Sequence, residues 1–370
     1  MKKIVYLICG HTGGHISSAK AIIAAMEGLK IGPFEHKIID LTMQAKTFWT
    51  SIFYSYPIIA EFFPWLYKTT YYFSNDPNRL NKMYNIFYPF LYSKKLKQFL
   101  NDEKPNLIVP LVALAPKAIV KALKETNLSI PTITVVLDPV SVHAGWVHPD
   151  INYQLVATEE AKDACIKLGM PKDKISVIGF PIHPKFLQKN LNKDLLRKEM
   201  GLSPNKFTAL VMGGGIGIGR ISALVEALKI SNLDIQLIVI AGYNKKLEST
   251  LLHAKFRFPI KVFGFTDKIP EIMDASDILI TKAGPGAIFE AIAKKLPIII
   301  TNNAPGQEEG NVDYVKNNGI GVIARKPNEI VAAISKIQSS GTDIFKINMK
   351  RIENSSAVYE IAKSIANCLR

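Results

Sequence analysis

Three glycine-rich segments carry the residues that could do chemistry. The first, at residues 10–15, reads GHTGGH; it follows an apolar run and opens a stretch with apolar residues at helical spacing. Its glycines allow a tight turn, and the N–H groups at a helix start attract anions or developing negative charge. His15 could act there as a general base, because the histidine pKa lies near neutral pH. Alone, a Gly-Gly-His triplet is more typical of a structural turn. Its position after the first predicted strand, where such folds bind ligands, favours a ligand-binding loop.

The second segment, at residues 213–219, reads GGGIGIG and again follows an apolar run. Five glycines in seven residues cost conformational entropy, which predicts close approach of the backbone to a ligand such as a diphosphate. The spacing is one residue longer than the dinucleotide fingerprint, and the next strand, IQLIVIAG, ends without the acid that binds a ribose in that motif. An NAD site is therefore disfavoured.

The third segment pairs two loops around the apolar run LPIIIT. Residues 284–286, GPG, open a helix that carries Glu290 one turn later, where a carboxylate could accept hydrogen bonds from ribose hydroxyls. After the next strand, Gln307 and Glu308 could bind the hydroxyls of a sugar. Each feature has a structural explanation as a turn, a solvated acid or a surface cap. Their succession on neighbouring strands predicts a site for a nucleotide sugar.

Short β-branched runs alternate with helix-period segments along most of the chain, which predicts α/β architecture with parallel sheets. A polar, proline-punctuated segment at 181–206 divides the series and is predicted to be a linker. We therefore expect two doubly wound, Rossmann-like domains that face each other across a cleft, with ligands at the carboxyl ends of the strands. The predicted strands are 3–9, 36–41, 106–112, 132–138, 154–158, 175–179, 207–213, 235–242, 260–265, 277–282, 296–301 and 319–324.

Bulk properties narrow the function classes. The length of 370 residues suits two domains, and 48% hydrophobic with 21% charged residues is typical of a globular protein. Three distant cysteines without CxxC spacing predict neither disulfides nor a zinc site, and no apolar stretch reaches the ~20 residues of a membrane-spanning helix. The net charge of +15 suits an anionic membrane surface or solvated lysine-rich faces; no nucleic-acid signature accompanies it.

One segment departs from the alternation. Residues 48–92 hold 17 of the 34 aromatic residues, including Trp49 and Trp65, among lysines and arginines. Aromatic rings beside basic groups suit a boundary between water and lipid. The alternative is a pair of helices that pack their aromatic side chains on the sheet, and both can hold for opposite faces of the same helices.

The sequence resembles the monogalactosyldiacylglycerol synthases and the bacterial processive diacylglycerol glucosyltransferases. These are inverting GT-B enzymes related to the N-acetylglucosaminyl transferase of peptidoglycan lipid intermediates. The resemblance is carried by ITKAGPG at 280–286 with Glu290, by PGQEEGN at 305–311, by TVVLDPVSVHAGWVHP at 134–149, and by GFPI at 179–182. It covers nearly the whole chain.

The resemblance implies roles for individual residues. His15 is the leading candidate to deprotonate the acceptor hydroxyl, and Asp138 would orient the acceptor or share the base role. The remaining positions divide between the UDP-sugar donor and the lipid acceptor with its membrane. Donor contacts are implied at Gly213, Gly214, Gly215, Gly264, Phe265, Thr266, Lys282, Gly284, Pro285, Gly286, Glu290, Gln307 and Glu308; acceptor or membrane contacts are expected at Gly13, Gly14, His143, Trp146, Trp49 and Trp65.

The implied organisation is an acceptor and membrane-binding domain at 1–180 with an aromatic-basic insertion at 44–97, and a UDP-sugar domain at 207–340. A C-terminal helix within 341–370 would pack back on the first domain. We expect no metal and no cofactor besides the donor, and a peripheral enzyme on the cytoplasmic face of a membrane.

One departure keeps alternatives open. The galactolipid enzymes usually show DTGGGH in the first loop, whereas HTGGH at 11–15 is one glycine shorter and lacks the acid. The acceptor is therefore diacylglycerol or, alternatively, a polyprenyl-linked or lipid A-type molecule that receives N-acetylglucosamine. A UDP-N-acetylglucosamine 2-epimerase shares the expected fold and needs no membrane, and a binding or lipid-transfer protein could retain the same fold. Galactose and glucose differ at one hydroxyl, which Gln307 and Glu308 could bind in either orientation.

Overall fold

The computed structural model describes most of the chain and divides it into two compact units. The first unit comprises Met1–Pro184, Ala304–Gly310 and Ser356–Arg370, and the second comprises Lys185–Asn303 and Asn311–Ser355. Three of the predicted site residues, Trp49, Gly214 and Gly215, lie outside the described residues, as does much of the insertion. The structure describes residues 1–10, 13–41, 59, 63–91, 93–188, 192–213 and 221–369.

The described residues of the first unit include six parallel strands. They pair in the orders β2-β1-β3 and β4-β5-β6, and a parallel bridge between Ile108 and Thr132 links the two groups. The residues from Ile4 to Ile8 are buried, because β1 lies between two strands with helices over the sheet. The strands are β1 (Lys2–Ile8), β2 (Phe34–Asp40), β3 (Leu107–Pro110), β4 (Ile133–Val135), β5 (Tyr153–Val156) and β6 (Ile175–Val177).

The helices of the first unit include three from the aromatic-basic part of the sequence. They are α1 (Gly14–Gly28), α2 (Pro64–Ser74), α3 (Pro77–Leu91), α4 (Ser93–Glu103), α5 (Ala115–Thr126) and α6 (Glu159–Lys167). Three-residue 3-10 turns occur at Ala144–Trp146 and Lys172–Lys174. Strands β2 and β3 lie on opposite sides of β1, so the strand order reverses beside β1, and ligands of doubly wound sheets commonly bind at the carboxyl ends of the strands at such a point. The loop that precedes His15 follows β1.

The described residues of the second unit form a six-stranded parallel sheet in the order β12-β11-β10-β7-β8-β9, together with helices. This is the doubly wound strand order, with its switch point between β7 and β10. Every residue of β8 is buried, as expected for a strand covered on both faces. The strands are β7 (Phe207–Met212), β8 (Ile235–Gly242), β9 (Ile260–Gly264), β10 (Ile278–Lys282), β11 (Ile298–Asn302) and β12 (Gly321–Ile323).

Helices cover both faces of this second sheet. Ile330, Ile334 and Ile337 of one of them enter the same apolar core as β7, β8 and β10. The helices are α7 (Lys193–Glu199), α8 (Ile221–Ile230), α9 (Lys245–His253), α10 (Ile269–Asp274), α11 (Pro285–Lys294), α12 (Glu309–Asn317), α13 (Pro327–Ser340) and α14 (Asp343–Ile352).

Part of the predicted linker is folded into the second unit. A 3-10 turn spans Pro184–Leu187, and α7 packs against α10. Arg197 of α7 is buried; its guanidinium donates to the carbonyl oxygen of Ala275 at 2.8 Å and to Oδ2 of Asp277 at 2.6 Å. The partners of Arg197 are about 80 residues away in the sequence, so the polar local sequence did not indicate these contacts.

The C-terminal region contains two helices that belong to different units. Helix α14 packs against α11 in the second unit, where Lys295 and Glu353 form an ion pair at 2.5 Å. The last helix, α15 (Ala357–Asn367), packs against α1 in the first unit, and Lys2 donates to the carbonyl oxygen of Leu369. Across the described residues, no helix is long and apolar enough to span a bilayer.

Candidate active site

His15 lies in the first turn of α1, and its ring is fixed by the preceding loop. Nδ1 lies 3.1 Å from the carbonyl oxygen of Cys9, and since that oxygen only accepts, Nδ1 carries the proton. In the neutral ring Nε2 then presents a lone pair. Burial lowers the pKa of His15, more than the Cys9 contact and the charge of Asp40 raise it. The imidazole is therefore neutral near pH 7, as a general base must be.

Asp40 is a polar residue of this site that the sequence reasoning missed. It ends β2 next to Ile8 of β1, is buried, and accepts a hydrogen bond from the N–H of Gly10 at 3.1 Å. Its carboxylate holds the start of the glycine loop and would stabilise a protonated His15. The signal was available, because an acid at the carboxyl end of a parallel strand lies at the ligand edge of the sheet.

Asp138 follows β4 and is buried with both oxygens occupied. Nε1 of Trp146 donates to Oδ2 at 2.6 Å, and Nε2 of Gln307 donates to Oδ1 at 3.2 Å. Burial raises the pKa of Asp138 to about 6, although these two hydrogen bonds lower it and the charge of Glu308 raises it further. At pH 7 the group is mainly ionised and can hold a hydroxyl or a developing positive charge.

Trp146 and His143 lie inside the first unit. Trp146 is 2% exposed, so its ring reaches Asp138 and not the surface, in contrast to the expected acceptor or membrane contact. His143 Nδ1 accepts from the N–H of Gly145 at 3.0 Å, and Nε2 lies 3.1 Å from Oγ of Ser74. Burial lowers the pKa of His143 to about 4, so this ring stays neutral and links α2 to the 3-10 turn.

The segment Ala304–Gly310 belongs to the first unit and closes on itself. Oε2 of Glu308 accepts from the N–H of Ala304 at 2.7 Å, and the N–H of Gly310 donates to Oγ of Ser141 at 3.1 Å. Gly306 has φ 80°, and a Cβ at this position would lie 2.5 Å from Cδ1 of Tyr71. Glu308, expected to bind the donor sugar, is buried and holds this loop, which we call the sugar loop (residues 304–310).

Two predicted phosphate loops end neighbouring strands in the second unit. Gly213 follows β7 and Lys282 ends β10, with Met212 opposite Thr281 in the sheet. Gly284 is the N-cap of α11 with Pro285 as its first residue, and no described side chain caps this helix. Among the described residues, apart from its own helix backbone and chain neighbours, nothing lies within 4 Å of where a Cβ of Gly286 would be. Backbone amides at an uncapped helix start with open space beside them suit a diphosphate.

Glu290 lies one turn into α11. Within the described part of the chain its carboxyl has no hydrogen-bond or ion-pair partner. Burial raises the pKa of Glu290 to about 8, so the carboxyl is largely protonated at pH 7. A carboxylate kept without a partner is costly, and hydroxyl donors of a ribose would relieve that cost.

Asn311 fixes the loop between β10 and α11. It is buried, and its Nδ2 donates to the carbonyl oxygen of Ala283 at 2.9 Å, while its Oδ1 has no partner among the described residues. An orphaned buried acceptor of this kind calls for a donor from outside the described structure, such as a ligand hydroxyl or water.

The predicted uracil residues follow β9. A Cβ on Gly264 would lie 2.8 Å from Oε1 of Glu248, so the carboxylate end of the Glu248 side chain lies beside this glycine. Phe265 is 61% exposed and stacks on Tyr243, with ring centroids 4.4 Å apart and planes 18° apart. The Oγ1 of Thr266 accepts a hydrogen bond from the N–H of Lys268 at 3.2 Å. The exposed aromatic pair is a surface on which a nucleobase could stack.

Exposed apolar side chains gather on α2 and α3. Trp65 is 68% exposed, and the guanidinium of Arg79 lies 5.1 Å from the ring centre of Phe73. The same two helices also carry Lys68 and Lys82. The large exposed apolar residues of these helices and the residue before them, which we call the aromatic surface, are Phe63, Trp65, Leu66, Tyr72, Phe73 and Ile86.

Two family models match successive parts of the chain. Residues 15–182 match the monogalactosyldiacylglycerol (MGDG) synthase model, and residues 208–367 match the glycosyltransferase family 28 C-terminal domain. The first match contains His15 and Asp138, and the second contains all described residues expected to bind the nucleotide.

Curated relatives extend over nearly the whole sequence. The chain is 32% identical over 379 residues to monogalactosyldiacylglycerol synthase 2 of Arabidopsis thaliana, which covers 98% of this chain and 80% of the relative. It is 31% identical over 383 residues to the monogalactosyldiacylglycerol synthase of Spinacia oleracea, which covers 100% of this chain and 73% of the relative.

Solved structures show the same fold at low identity. A UDP-GlcNAc 2-epimerase from Neisseria meningitidis, bound to UDP-GlcNAc, has a TM-score of 0.61 at 15% identity and covers 99% of both chains. MurG of Acinetobacter baumannii has a TM-score of 0.58 at 12% identity and covers 99% of this chain and 100% of its own. At these identities the likeness shows the fold alone, which is the GT-B fold expected from the sequence.

Proposed function

Because the chain belongs to the monogalactosyldiacylglycerol synthase family, we propose that it transfers a hexose from a UDP-sugar to the free hydroxyl of diacylglycerol. The observation that carries the proposal is the hydrogen bond from Nε2 of Gln307 to Oδ1 of Asp138 at 3.2 Å. It brings the residue expected to bind the donor sugar against the acid expected to orient the acceptor. Such a pair is useful to an enzyme that joins the two substrates.

The proposed donor is UDP-galactose. The curated relatives at 31–32% identity are monogalactosyldiacylglycerol synthases, which supports galactose over glucose. Discrimination would come from hydrogen bonds to the one hydroxyl at which the two sugars differ. A site that makes such bonds rejects the wrong epimer because its polar groups are left unpaired.

The proposed chemistry is a single displacement with inversion. Nε2 of His15 takes the proton from the acceptor hydroxyl as its oxygen attacks the anomeric carbon. The bond from that carbon to the diphosphate breaks, and the electron pair leaves with UDP. Asp138, ionised at pH 7, holds the acceptor or the positive charge that develops on the sugar ring.

The nucleotide is proposed to bind the second unit. The uncapped start of α11 would take the diphosphate, Glu290 the ribose, and the pair Tyr243 and Phe265 the uracil. Backbone amides and the helix dipole then stabilise the leaving-group charge, so we propose that no metal ion is required.

The lipid is proposed to reach the protein at the aromatic surface. Apolar rings on helices that also carry Lys68, Arg79 and Lys82 suit a membrane that carries anionic lipids, into which the rings insert while the cations meet the headgroups. The net charge of +15 acts in the same direction. We propose a peripheral association that weakens as salt rises.

A donor panel tests the proposal. The protein is incubated with diacylglycerol vesicles and radiolabelled UDP-galactose, UDP-glucose or UDP-N-acetylglucosamine, and the lipids are separated by thin-layer chromatography. We expect a labelled lipid with UDP-galactose. Label that reaches lipid only from UDP-N-acetylglucosamine would point to the alternative acceptor class, and conversion of that donor without lipid would point to an epimerase.

A further inference from the structure

Tyr67 lies on the inward face of α2, opposite the side that carries Trp65. It is 1% exposed, and its hydroxyl donates to Oε1 of Gln307 at 2.8 Å. The aromatic segment has many tyrosines, and nothing in the sequence marks this one. Its burial against the sugar loop gives it a role separate from the aromatic surface.

The contact fixes the orientation of the Gln307 amide. The carboxylate of Asp138 only accepts, so the amide nitrogen must face it, and the amide oxygen must face the donating hydroxyl of Tyr67. A continuous chain of hydrogen bonds results, from Tyr67 through Gln307 to Asp138, whose second oxygen is held by Trp146. If the amide were flipped, its oxygen would face the Asp138 carboxylate, and two hydrogen-bond acceptors would be opposed.

The same helix supports the backbone of the sugar loop. The ring of Tyr71 lies against Gly306, where only glycine fits. Glu309, within the loop, accepts from the hydroxyl of Tyr72 at 2.7 Å and pairs with Lys68 at 3.1 Å. Helix α2 therefore supports the loop, and Tyr67 is the buried residue of this helix that contacts the Gln307 side chain.

We propose that Tyr67 is a positioning residue for donor-sugar binding: through its hydroxyl it holds the Gln307 amide in the orientation that binds the hexose. This inference rests on the proposed function, because it takes Gln307 as a ligand of the donor sugar. It assigns a role in donor recognition to the segment whose outer face is proposed to meet lipid.

The test distinguishes binding of the sugar from binding of the nucleotide. Tyr67→Phe keeps the ring and removes the hydroxyl, and calorimetry gives the affinities for UDP and for UDP-galactose. We expect the affinity for UDP-galactose to fall about five- to tenfold, a typical loss for one hydrogen bond, with the affinity for UDP unchanged. Equal affinities in variant and wild type for UDP-galactose would overturn the inference. A parallel loss for UDP would also overturn it.

Two further variants keep the result specific. Tyr6→Phe removes the hydroxyl of another fully buried tyrosine in the first unit, one that contacts Met26 and His36, and is expected to leave both affinities unchanged. In a Gln307→Ala background, Tyr67→Phe should cause no further loss, since it acts through that amide. An undiminished loss there would show that Tyr67 acts by another route and would contradict the proposal.

The inference and the proposed function fail in different ways. The binding measurement needs no lipid acceptor. A wild type that binds UDP-galactose more tightly than UDP but glycosylates no diacylglycerol would defeat the proposed function and leave the role of Tyr67 to be judged by binding. A wild type that makes glycolipid while Tyr67→Phe binds and reacts like it would defeat the inference alone.

Discussion

The Nδ1 atom of His15 donates to the carbonyl oxygen of Cys9 at 3.1 Å, which leaves Nε2 as the basic nitrogen of a neutral ring. The ring is thus held in one tautomer by a backbone carbonyl, which can only accept. A histidine fixed in this way in the first turn of a helix that follows a parallel strand is suited to take a proton from a substrate.

Replacement of His15 by alanine should abolish most transfer without loss of the nucleotide. A general base contributes ~100- to 10,000-fold to rate, so kcat should fall by that order. The affinity for UDP, measured by calorimetry, should be unchanged because the nucleotide is proposed to bind the second unit. An alanine variant with wild-type turnover would remove His15 from the mechanism.

The pH dependence of kcat/KM should show an acid limb near pH 6. Asp138 must be ionised to act, and its pKa of about 6 means that activity is lost as pH falls through that value. The hydrogen bond from Trp146 lowers this pKa, so Trp146→Phe should move the limb to higher pH. Trp65→Phe, which changes an exposed tryptophan, should leave it in place. A limb that does not respond to Trp146→Phe would assign the titration to another group.

Binding of UDP should release a proton at neutral pH. Burial raises the pKa of Glu290 to about 8, so most of it is protonated at pH 7, and hydroxyls that donate to its carboxylate favour the ionised form. Calorimetry in buffers of different ionisation enthalpy should detect release of up to one proton, and affinity should rise from pH 6 to pH 8. The Glu290→Gln variant should release none, and an equal release from both proteins would refute the assignment.

The same group should make stability depend on pH. The folded-state pKa of Glu290 lies above its unfolded value, so the folded state binds the extra proton, and stability falls as pH rises from about 4.5 through 8. Glu290→Gln removes this cost. Relative to wild type it should gain about 1–2 kcal/mol at pH 8, discounted for partial exposure, and little at pH 4.5. Denaturant unfolding at the two pH values measures the difference, and a gain that is equal at both would contradict the explanation.

Removal of Trp65 should weaken membrane binding and spare chemistry. Burial of a large aromatic side chain in lipid is worth ~1–3 kcal/mol, so Trp65→Ala should bind anionic vesicles about ten times more weakly in flotation assays. Tyr153→Ala, which removes an exposed tyrosine outside the aromatic surface, is the matched control. If both variants bind vesicles alike, the aromatic surface is not the lipid contact.

The strands could be predicted from the sequence, because their apolar runs are continuous. Each of the twelve predicted strands overlaps a strand of the structure, with ends that differ by a few residues. The fourth was predicted too long: it ends at Val135, although Val136 and Leu137 are also buried. Buried apolar residues in a loop are indistinguishable from strand residues in such a pattern.

The site was predictable only where a local motif marks it. His15, Glu290 and the glycine loops stand at strand ends, and Asp40 could have been found by the same rule. Tyr67 and the burial of Trp146 depend on contacts between distant segments, as does the placement of residues 304–310 in the first unit. Such contacts cannot be read from residue spacing or composition, so this part of the site could not be predicted from the sequence.

The most direct test of the account is the product itself. Wild-type protein is incubated with diacylglycerol vesicles and UDP-galactose, and the lipid product is examined by mass spectrometry and by NMR of the anomeric proton. The account predicts a monohexosyl diacylglycerol whose linkage is β, inverted from the α linkage of the donor. Absence of any glycolipid would contradict the proposed activity, and an α-linked product would contradict a single displacement with His15 as base.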